Sequence, residues 1–538
     1  METLFSSIEY KDPIWIAIAF IFGFLSRQAG LPPLVGFLIA GFTLNYLGAE
    51  SGSFLEEMAD LGITLLLFSI GLKLRIKELL RVEVWGVTLI HMLIVSIFMT
   101  ISLLLLGAAG LPLFNELDLA SAMMIGFALS FSSTVFVVKM LEGRGDMLSH
   151  YGRLAIGVLI VQDIAAVIFI GISDVKVPSV WAAGVIVLMI IGRPILYKLF
   201  SLVGRGELLV LFGLVLAIGG AVLFDAVDMK GDLGALVFGV LLANHPKSTE
   251  LAKTLFSIKE LFLVGFFLNI GMAGLPNVTI MGIVAILLVA LLMKMGLFFL
   301  LFSRFRVRTR SANSTSFLLG NYSEFGLIVS VVAVSQQWIS QEWLVIMAVL
   351  VASSFAISSA VNNFADNFYS RYRNRLGKFE HSKRLPGDED IDLSDVRYLI
   401  CGMGRVGSGA FDYLLEQGHK NLLGLDFDSD VVKRQNANGR KTYFANVSSP
   451  EFWSRLDAKG NKIEWVMLCV PNSTANEIAA RQARQWGYKG LICATTKFPD
   501  EEVRLIAAGA DAVFNIYAEA GVGLAQNVQQ ICNITAKH

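Results

Sequence analysis

Two ionisable residues lie where an ion is expensive. Asp163 stands in the middle of the apolar run RLAIGVLIVQDIAAVIFIGI, directly after Gln162, and Lys294 in the middle of VAILLVALLMKMGLFFLLF. A charged side chain at mid-bilayer costs about 2.5–3.5 kcal/mol even on a lenient insertion scale, so such residues are functional candidates by default. The bland reading is a single structural ion pair holding a helical bundle together. Their polar company favours a site that handles ions. One apolar segment carries Ser130, Ser132, Ser133 and Thr134; another carries Asn321, Tyr322, Ser323 and Glu324 between Gly320 and Gly326. Polar, glycine-broken stretches in paired hydrophobic segments mark discontinuous helices, whose freed backbone dipoles face ions near the midplane. The hydroxyls of Ser132, Ser133 and Thr134 could instead bond back to their own helix, and Glu324 could simply cap a half-helix amino end. His91 reads as a packing histidine.

A second chemistry lies near the carboxyl end. In VRYLICGMGRVGSGAFDYLLEQG an apolar strand runs into Gly402-x-Gly404-x-x-Gly407 and opens a helix; Asp426 ends the next strand, NLLGLD, 24 residues after Gly402. A lone GxGxxG says little. Between a strand and a helix, and answered by an acid at that distance, it reads as a dinucleotide-type fingerprint. The glycines let backbone N–H groups approach phosphate, and the acid suits a ribose hydroxyl rather than a 2′-phosphate. Arg405 adds charge for phosphate.

These groups need two different settings. The 538 residues are 55% hydrophobic and 16% charged, against about 25% charged in an ordinary soluble domain. Residues 1–375 hold 25 Lys/Arg and 24 Asp/Glu, or 13% charged, and 376–538 hold 19 and 20, or 24%. A membrane part therefore precedes a soluble one. Thirteen spans are expected, near 13–30, 32–48, 54–73, 83–108, 117–140, 152–173, 177–198, 207–225, 230–245, 252–274, 279–303, 315–336 and 343–366. Eighteen Lys/Arg flank the loops after odd spans, against Lys176 and Lys230 in the even loops and Lys11 before the first span. By the positive-inside rule the N-terminus lies outside and the C-terminal part is cytoplasmic. The interrupted spans are the fifth and twelfth, middle members of the triplets 4–6 and 11–13; an offset of seven inverts the second triplet, which implies an inverted repeat.

The domain boundaries follow from composition: a membrane domain over 1–375, a linker over 376–395 whose segment HSKRLPGDEDIDLSD mixes charge with Pro and Gly, and a soluble domain over 396–538. Further strands are expected near 441–444, 463–470, 490–495 and 512–517, making one doubly wound α/β unit. Cys401, Cys469, Cys493 and Cys532 read as reduced, buried thiols, and the six scattered histidines give no metal-ligand spacing. The formal net charge is zero and no long basic tract occurs, so nucleic acid is not an expected partner.

The motifs LVGFLIAGFTLN, LGITLLLFSIGLKL, LSFSSTVFVV, VQDIAAV and SEFGLIVS, in that order, resemble the second group of monovalent cation:proton antiporters, with the closest likeness to Kef-type potassium efflux systems. The resemblance implies an α-helical polytopic membrane domain with a thirteen-helix NhaA-like inverted repeat and two broken helices. It implies a homodimer in membrane lipid, placed in a bacterial inner membrane. It further implies that Asp163, beside Gln162, carries the ion and the proton with Lys294 as its partner, and that Ser132, Ser133, Thr134 and Glu324 complete the site. Glutathione gating stays open, because the loop Asn244–Lys253 lacks the acidic pattern of the glutathione-gated members.

The soluble half resembles the RCK, or TrkA-N, domain attached to many channels and transporters, a cytoplasmic α/β Rossmann-like module. That implies a regulatory adenine nucleotide, AMP or NAD/NADH, bound by Gly402, Gly404, Arg405, Val406, Gly407, Asp426 and Asp428. Asn446 occupies the adenine-side position where the family often has an acid. The leading expectation is exchange of K⁺, or of Na⁺, for H⁺ under nucleotide control. A ligand-gated potassium efflux channel is the alternative, although no TVGYG-like filter occurs. An oxidoreductase would need a substrate domain, and none is visible.

Overall fold

The computed structural model describes residues 11–535 apart from 50–51, 74–80, 145, 147–148, 174–178, 180, 205, 363, 381–392, 394, 446, 449–451 and 454–461. The chain divides into two compact units, one of residues 1–138 and 154–380 and one of 139–153 and 381–538. Most of the linker, and Asn446, lie outside the described residues.

Among the described residues the first unit is helical, and two of its helices, Thr134–Arg144 and His150–Ser173, run on into residues 139–153 of the second. In chain order its helices are α1 (Lys11–Gln28), α2 (Pro33–Tyr46), α3 (Ser53–Lys73), α4 (Val82–Ala108), α5 (Leu119–Ser130), α6 (Thr134–Arg144), α7 (His150–Ser173), α8 (Trp181–Leu202), α9 (Glu207–Asp225), α10 (Gly231–Leu242), α11 (Ser248–Met272), α12 (Val278–Arg304), α13 (Thr309–Leu318), α14 (Glu324–Ser335), α15 (Gln341–Asn362) and α16 (Ala365–Leu376). Among the described residues, seven apolar segments are long enough to cross a membrane on length and composition: α4, α5 with α6, α7, α9, α11, α12 and α15. Helices α5 and α6 are interrupted at 131–133, and α13 and α14 at 319–323.

Small residues let these helices close up. A Cβ on Gly41 would come within 2.4 Å of the Leu268 carbonyl oxygen, and one on Gly71 within 2.4 Å of that of Leu236. Without a hydrophobic driving force between spans, such backbone-to-backbone approach supplies the packing. Among the described residues, two apolar clusters result. Phe68, Leu72, Phe200 and Leu255 join α3, α8 and α11, while Trp15, Leu44, Leu55 and Leu268 join α1, α2, α3 and α11. On α4, Leu89, Leu93, Ile97 and Ile101 stand exposed at four-residue spacing, as expected of a face turned to hydrocarbon.

The second unit carries a six-stranded parallel sheet of β1 (Tyr398–Cys401), β2 (Leu422–Asp426), β3 (Thr442–Phe444), β4 (Trp465–Leu468), β5 (Leu491–Thr496) and β6 (Ala512–Asn515), ordered β3-β2-β1-β4-β5-β6. Helices α17 (Arg405–Glu416), α18 (Ser429–Ala437), α19 (Ser473–Gln485), α20 (Pro499–Ala507) and α21 (Ile516–Thr535) follow its strands. The order reverses between β1 and β4, and ligands of such sheets bind beyond the strand carboxyl ends at that switch point. Central strands buried on both faces explain the apolar runs YLIC and WVML. Cys401 and Cys469 are buried free thiols, but Cys493 is only partly buried, because β5 lies one strand nearer the sheet edge.

Candidate functional site

The two helix breaks are joined through one set of buried polar groups. Phe131 is extended, with φ −72° and ψ 149°, so α5 stops and the chain restarts at Thr134. Gln162 on α7 spans the gap: its Oε1 accepts from Ser132 N–H at 2.9 Å and its Nε2 donates to the Ser130 carbonyl at 3.2 Å. Asn321, in the second break, accepts from Ser133 N–H at 2.6 Å through Oδ1. Ser132 Oγ donates to the Leu319 carbonyl at 2.9 Å, and Ser133 Oγ accepts from Phe136 N–H at 3.1 Å. Ser132 and Ser133 are therefore engaged in stitching the breaks, satisfying backbone groups that hydrocarbon would leave bare.

Charges of opposite sign meet opposite helix ends. Lys294 on α12 donates from Nζ to the carbonyls of Phe131, of Asn321 at 2.8 Å and of Leu129 at 3.4 Å. Those carbonyls lie at the carboxyl ends of α5 and α13, where the helix dipole is negative. Glu324, first residue of α14, accepts from Val135 N–H at 3.5 Å and from Ser323 Oγ at 3.4 Å, which places it at the amino ends of α6 and α14. An ammonium thus serves two carboxyl termini and a carboxylate two amino termini. The three backbone carbonyls match the three N–H donors of the ammonium.

Asp163 follows Gln162 on α7 and is 4% exposed. Thr134 Oγ1, at the first turn of α6, lies 3.3 and 3.4 Å from its two carboxylate oxygens. Of the expected site residues, Gln162, Asp163 and Thr134 converge on one break, Ser132 and Ser133 tie it to the other, and Lys294 and Glu324 neutralise the helix ends.

Other buried polar groups on α4 and α15 join this set. His91 on α4 is buried, stacks on Phe298 and approaches the Lys294 carbonyl at 3.3 Å through Nε2. On α15, Ser354 accepts from Tyr322 N–H at 3.1 Å, Ser358 donates to the Gly320 carbonyl and Asn362 donates to the Phe317 carbonyl at 3.0 Å. The four-residue spacing of Ser354, Ser358 and Asn362 puts them on one helix face, a polar stripe in an apolar span that could have been read directly.

In the second unit the glycine loop is fixed by its acid. Asp426 accepts from Met403 N–H at 2.7 Å and from Asp428 N–H at 2.9 Å, while Gln435 Nε2 donates to the Met403 carbonyl at 2.7 Å. Burial pushes the Asp426 carboxyl above its ordinary range, opposed by those two N–H groups. Gly402 has φ +94°, open to glycine at little cost, and a Cβ on Gly407 would stand 1.9 Å from the Gly402 carbonyl oxygen. Gly404, the N-cap of α17, faces open space.

Two cavities share Val470 and Pro471 in their linings. One, of about 150 Å³, is lined by Gly402, Asp426, Phe427, Val447 and Asn472; the other, of about 390 Å³, by Gly404, Arg405, Val406, Thr495, Lys497 and Tyr517. Asp428 lines neither and instead caps α18 by accepting from Asp430 N–H at 2.8 Å.

Residues 16–362 match the family described as "Sodium/hydrogen exchanger, transmembrane", and residues 398–516 match the TrkA-N domain. The glutathione-regulated potassium-efflux system protein KefC of Shigella flexneri serotype 5b (strain 8401) is 27% identical over 512 residues, covering 90% of this chain and 79% of that protein. KefC of Escherichia coli (strain K12) gives the same figures. Among solved structures, the sodium proton antiporter MjNhaP1 from Methanocaldococcus jannaschii is 12% identical, covers 68% of this chain and 96% of its own, and has a TM-score of 0.44. The TrkA-N domain of inner membrane protein ybaL from Escherichia coli is 22% identical, with 25% and 98% covered and a TM-score of 0.23.

Proposed function

Because this chain belongs to the sodium/hydrogen exchanger family, we propose that it exchanges K⁺ for H⁺ at Asp163 under control of an adenine nucleotide held by its TrkA-N domain. It is a multi-pass cation:proton antiporter, a transporter and not an enzyme, with a cytoplasmic TrkA-N nucleotide-binding regulatory domain. The choice of K⁺ over Na⁺ rests on the relatives named for potassium efflux.

The observation that carries the reading is the placement of Asp163. Its carboxylate lies within 3.4 Å of Thr134 Oγ1 at the mouth of a half-helix, and carboxylate and hydroxyl oxygens are the hard ligands a monovalent cation takes. In a poorly hydrated setting one carboxylate balances one positive charge, so proton and cation become alternatives and alternating access turns that competition into exchange. Lys294 and Glu324 hold the break in shape rather than carry the ion. One carboxylate exchanging one proton for one cation is electroneutral.

The membrane exchanger is assigned to 1–375, the linker to 376–395 and the regulatory domain to 396–538. We assign a homodimer, thirteen spans and an external N-terminus in a bacterial inner membrane. For the nucleotide, Asp426 suits a free ribose diol, and the second, larger cavity beside Gly404 and Arg405, which shares Val470 and Pro471 with the first, favours NAD or NADH over AMP. Regulation is assigned to nucleotide rather than glutathione, since the segment NHPKSTELAK carries a single acid, Glu250.

Proteoliposomes loaded with K⁺ or Na⁺ under an imposed pH gradient test the reading. Cation-driven proton flux in the parent, its absence in Asp163→Asn and insensitivity to membrane potential are expected. Downhill K⁺ flux without proton movement would replace the antiporter by a channel.

A further inference from the structure

Helix α16 begins three residues after α15 ends, and its sequence ADNFYSRYRNRL is strongly two-faced. Phe364, Phe368 and Tyr372 follow one another at four-residue spacing and remain 63%, 41% and 36% exposed. Arg371 and Arg375, also four apart and exposed, form a neighbouring stripe, continued by Lys378. A helix with aromatic and basic stripes side by side is built to lie in a membrane interface.

Its depth can be read from what it touches. Phe379, just beyond α16, packs edge-on against Phe299, with ring centroids 5.9 Å apart. Phe299 lies five residues inside the end of α12 at Arg304, or roughly 7.5 Å along the axis at 1.5 Å per residue. Phe368 packs on Phe317 of α13 at 5.6 Å, and Asn313 Nδ2 donates to the Ala365 carbonyl at 3.1 Å. The segment is therefore tied to the last two turns of α12 and, through Asn313 and Phe317, along α13, on the side of the helix break where the α12–α13 turn lies.

Charge is concentrated at the same level. The α12 end, the turn and the α13 start supply Arg304, Arg306, Arg308 and Arg310, and residues 365–380 contain Arg371, Arg373, Arg375 and Lys378 against only Asp366 and Glu380. Among the described residues, Arg304, Arg306, Arg371, Arg375 and Lys378 make no ion pair with a protein carboxylate. Exposed cations beside exposed aromatic rings are complementary to a surface that is negative at the headgroup and apolar beneath it.

We propose that α16 and the α12–α13 turn form a binding surface for anionic phospholipid headgroups, with Arg304, Arg306, Arg371, Arg375 and Lys378 on the phosphates and Phe364, Phe368 and Tyr372 among the acyl chains. The surface goes beyond the transport and nucleotide sites and shares no residue with either.

The test uses the full chain reconstituted in nanodiscs of phosphatidylcholine with one quarter phosphatidylglycerol, extracted in mild detergent and assayed for retained lipid by native mass spectrometry. Phosphatidylglycerol enrichment over the bulk ratio is expected in the parent. It should fall roughly fivefold for each cation removed in Arg371→Gln, Arg375→Gln and Lys378→Gln, singly and combined, and persist in Arg371→Lys with Arg375→Lys. Should the combined variant not fold, extraction of the parent at about 0.5 M salt gives the same reading, because screening removes interfacial attraction. Retention at the bulk ratio in the parent, or enrichment unchanged by both the Gln variants and salt, overturns the proposal. So does enrichment that appears only after Asp388, Glu389, Asp390 and Asp392 are made amides, since the acidic linker would then be the occupant.

Discussion

Gln162 closes the gap in a broken helix that Ser132 leaves open, taking the Ser132 N–H at 2.9 Å and, with its other amide atom, giving a hydrogen bond to the Ser130 carbonyl at 3.2 Å. The next residue on the same helix is Asp163, whose carboxylate we propose carries the ion, and Thr134 Oγ1 of the restarted half-helix lies 3.3 Å from it. Leaving a buried backbone group unpaired costs about 1–3 kcal/mol. Gln162→Leu should therefore lower the melting temperature by several degrees and slow exchange at least tenfold. Gln162→Glu keeps the acceptor for Ser132 and loses the donor for Ser130, and should fall between. Thermal melting and liposome flux measured on the same preparations check the order.

Thr134 and Asp163 should separate in kinetics. Asp163→Asn removes the exchangeable charge, and cation-dependent proton flux should vanish while the protein melts within a few degrees of the parent. Thr134→Val removes only a hydroxyl at 3.3 Å and should raise the KM for cation several-fold with little change in maximal rate; Thr134→Ser should restore the parent value. Equal loss in Val and Ser variants would remove the hydroxyl from the ion's coordination.

Lys294 distinguishes a structural from a carrier role. Lys294→Met strands the carbonyls of Leu129, Phe131 and Asn321, so destabilisation of several kcal/mol is expected, read as a fall in melting temperature of roughly 5–10 °C. Exchange per folded molecule should persist at a reduced rate. A variant that melts like the parent yet transports nothing would place the lysine's function at Asp163.

The Asp426 carboxyl is raised by burial, and a ribose hydroxyl donating to it favours the ionised form. Nucleotide affinity should therefore climb as pH rises through that raised value and level off above it, with a proton released on binding. Folding linkage runs the other way: a carboxyl raised in the folded state favours folding below its ordinary range, and that contribution is lost as pH rises to the raised value. Asp426→Asn should flatten the affinity profile and weaken binding tenfold or more, as titration of the full chain in detergent across pH 4–7 would show.

Gly404 and Gly407 should fail differently. A side chain at Gly404 meets open space, whereas one at Gly407 meets the Gly402 carbonyl oxygen at 1.9 Å. Gly407→Ala should lower the melting of the cytoplasmic domain outright. Gly404→Asp should leave melting unchanged and abolish nucleotide binding, because it sets a negative charge at the helix end meant for phosphate. If nucleotide regulates exchange, Gly404→Asp should also alter the rate while leaving apparent cation affinity nearly constant. Unchanged flux at every nucleotide concentration would reduce the domain to a non-regulatory role.

Patterns set by a local period or a local charge were legible in the amino-acid order. The strand–glycine–helix turn at 398–416 and the acid at Asp426 were placed because turn geometry and strand period are properties of a few neighbouring residues. The breaks near Ser132 and Tyr322 were visible for the same reason: polar groups in an apolar span must be used or they would not persist. Partnerships were another matter. Asp163 and Lys294 look like a pair in the sequence, being opposite charges in the membrane core, yet Lys294 reaches the carbonyls of Leu129, Phe131 and Asn321, up to 165 residues away along the chain. Which acceptor a buried ammonium takes is decided by where α12 packs against the ends of α5 and α13. Backbone carbonyls carry no signature in the sequence, since every residue has one, so only the tertiary structure could show that the lysine answers helix ends while the aspartate sits with Thr134.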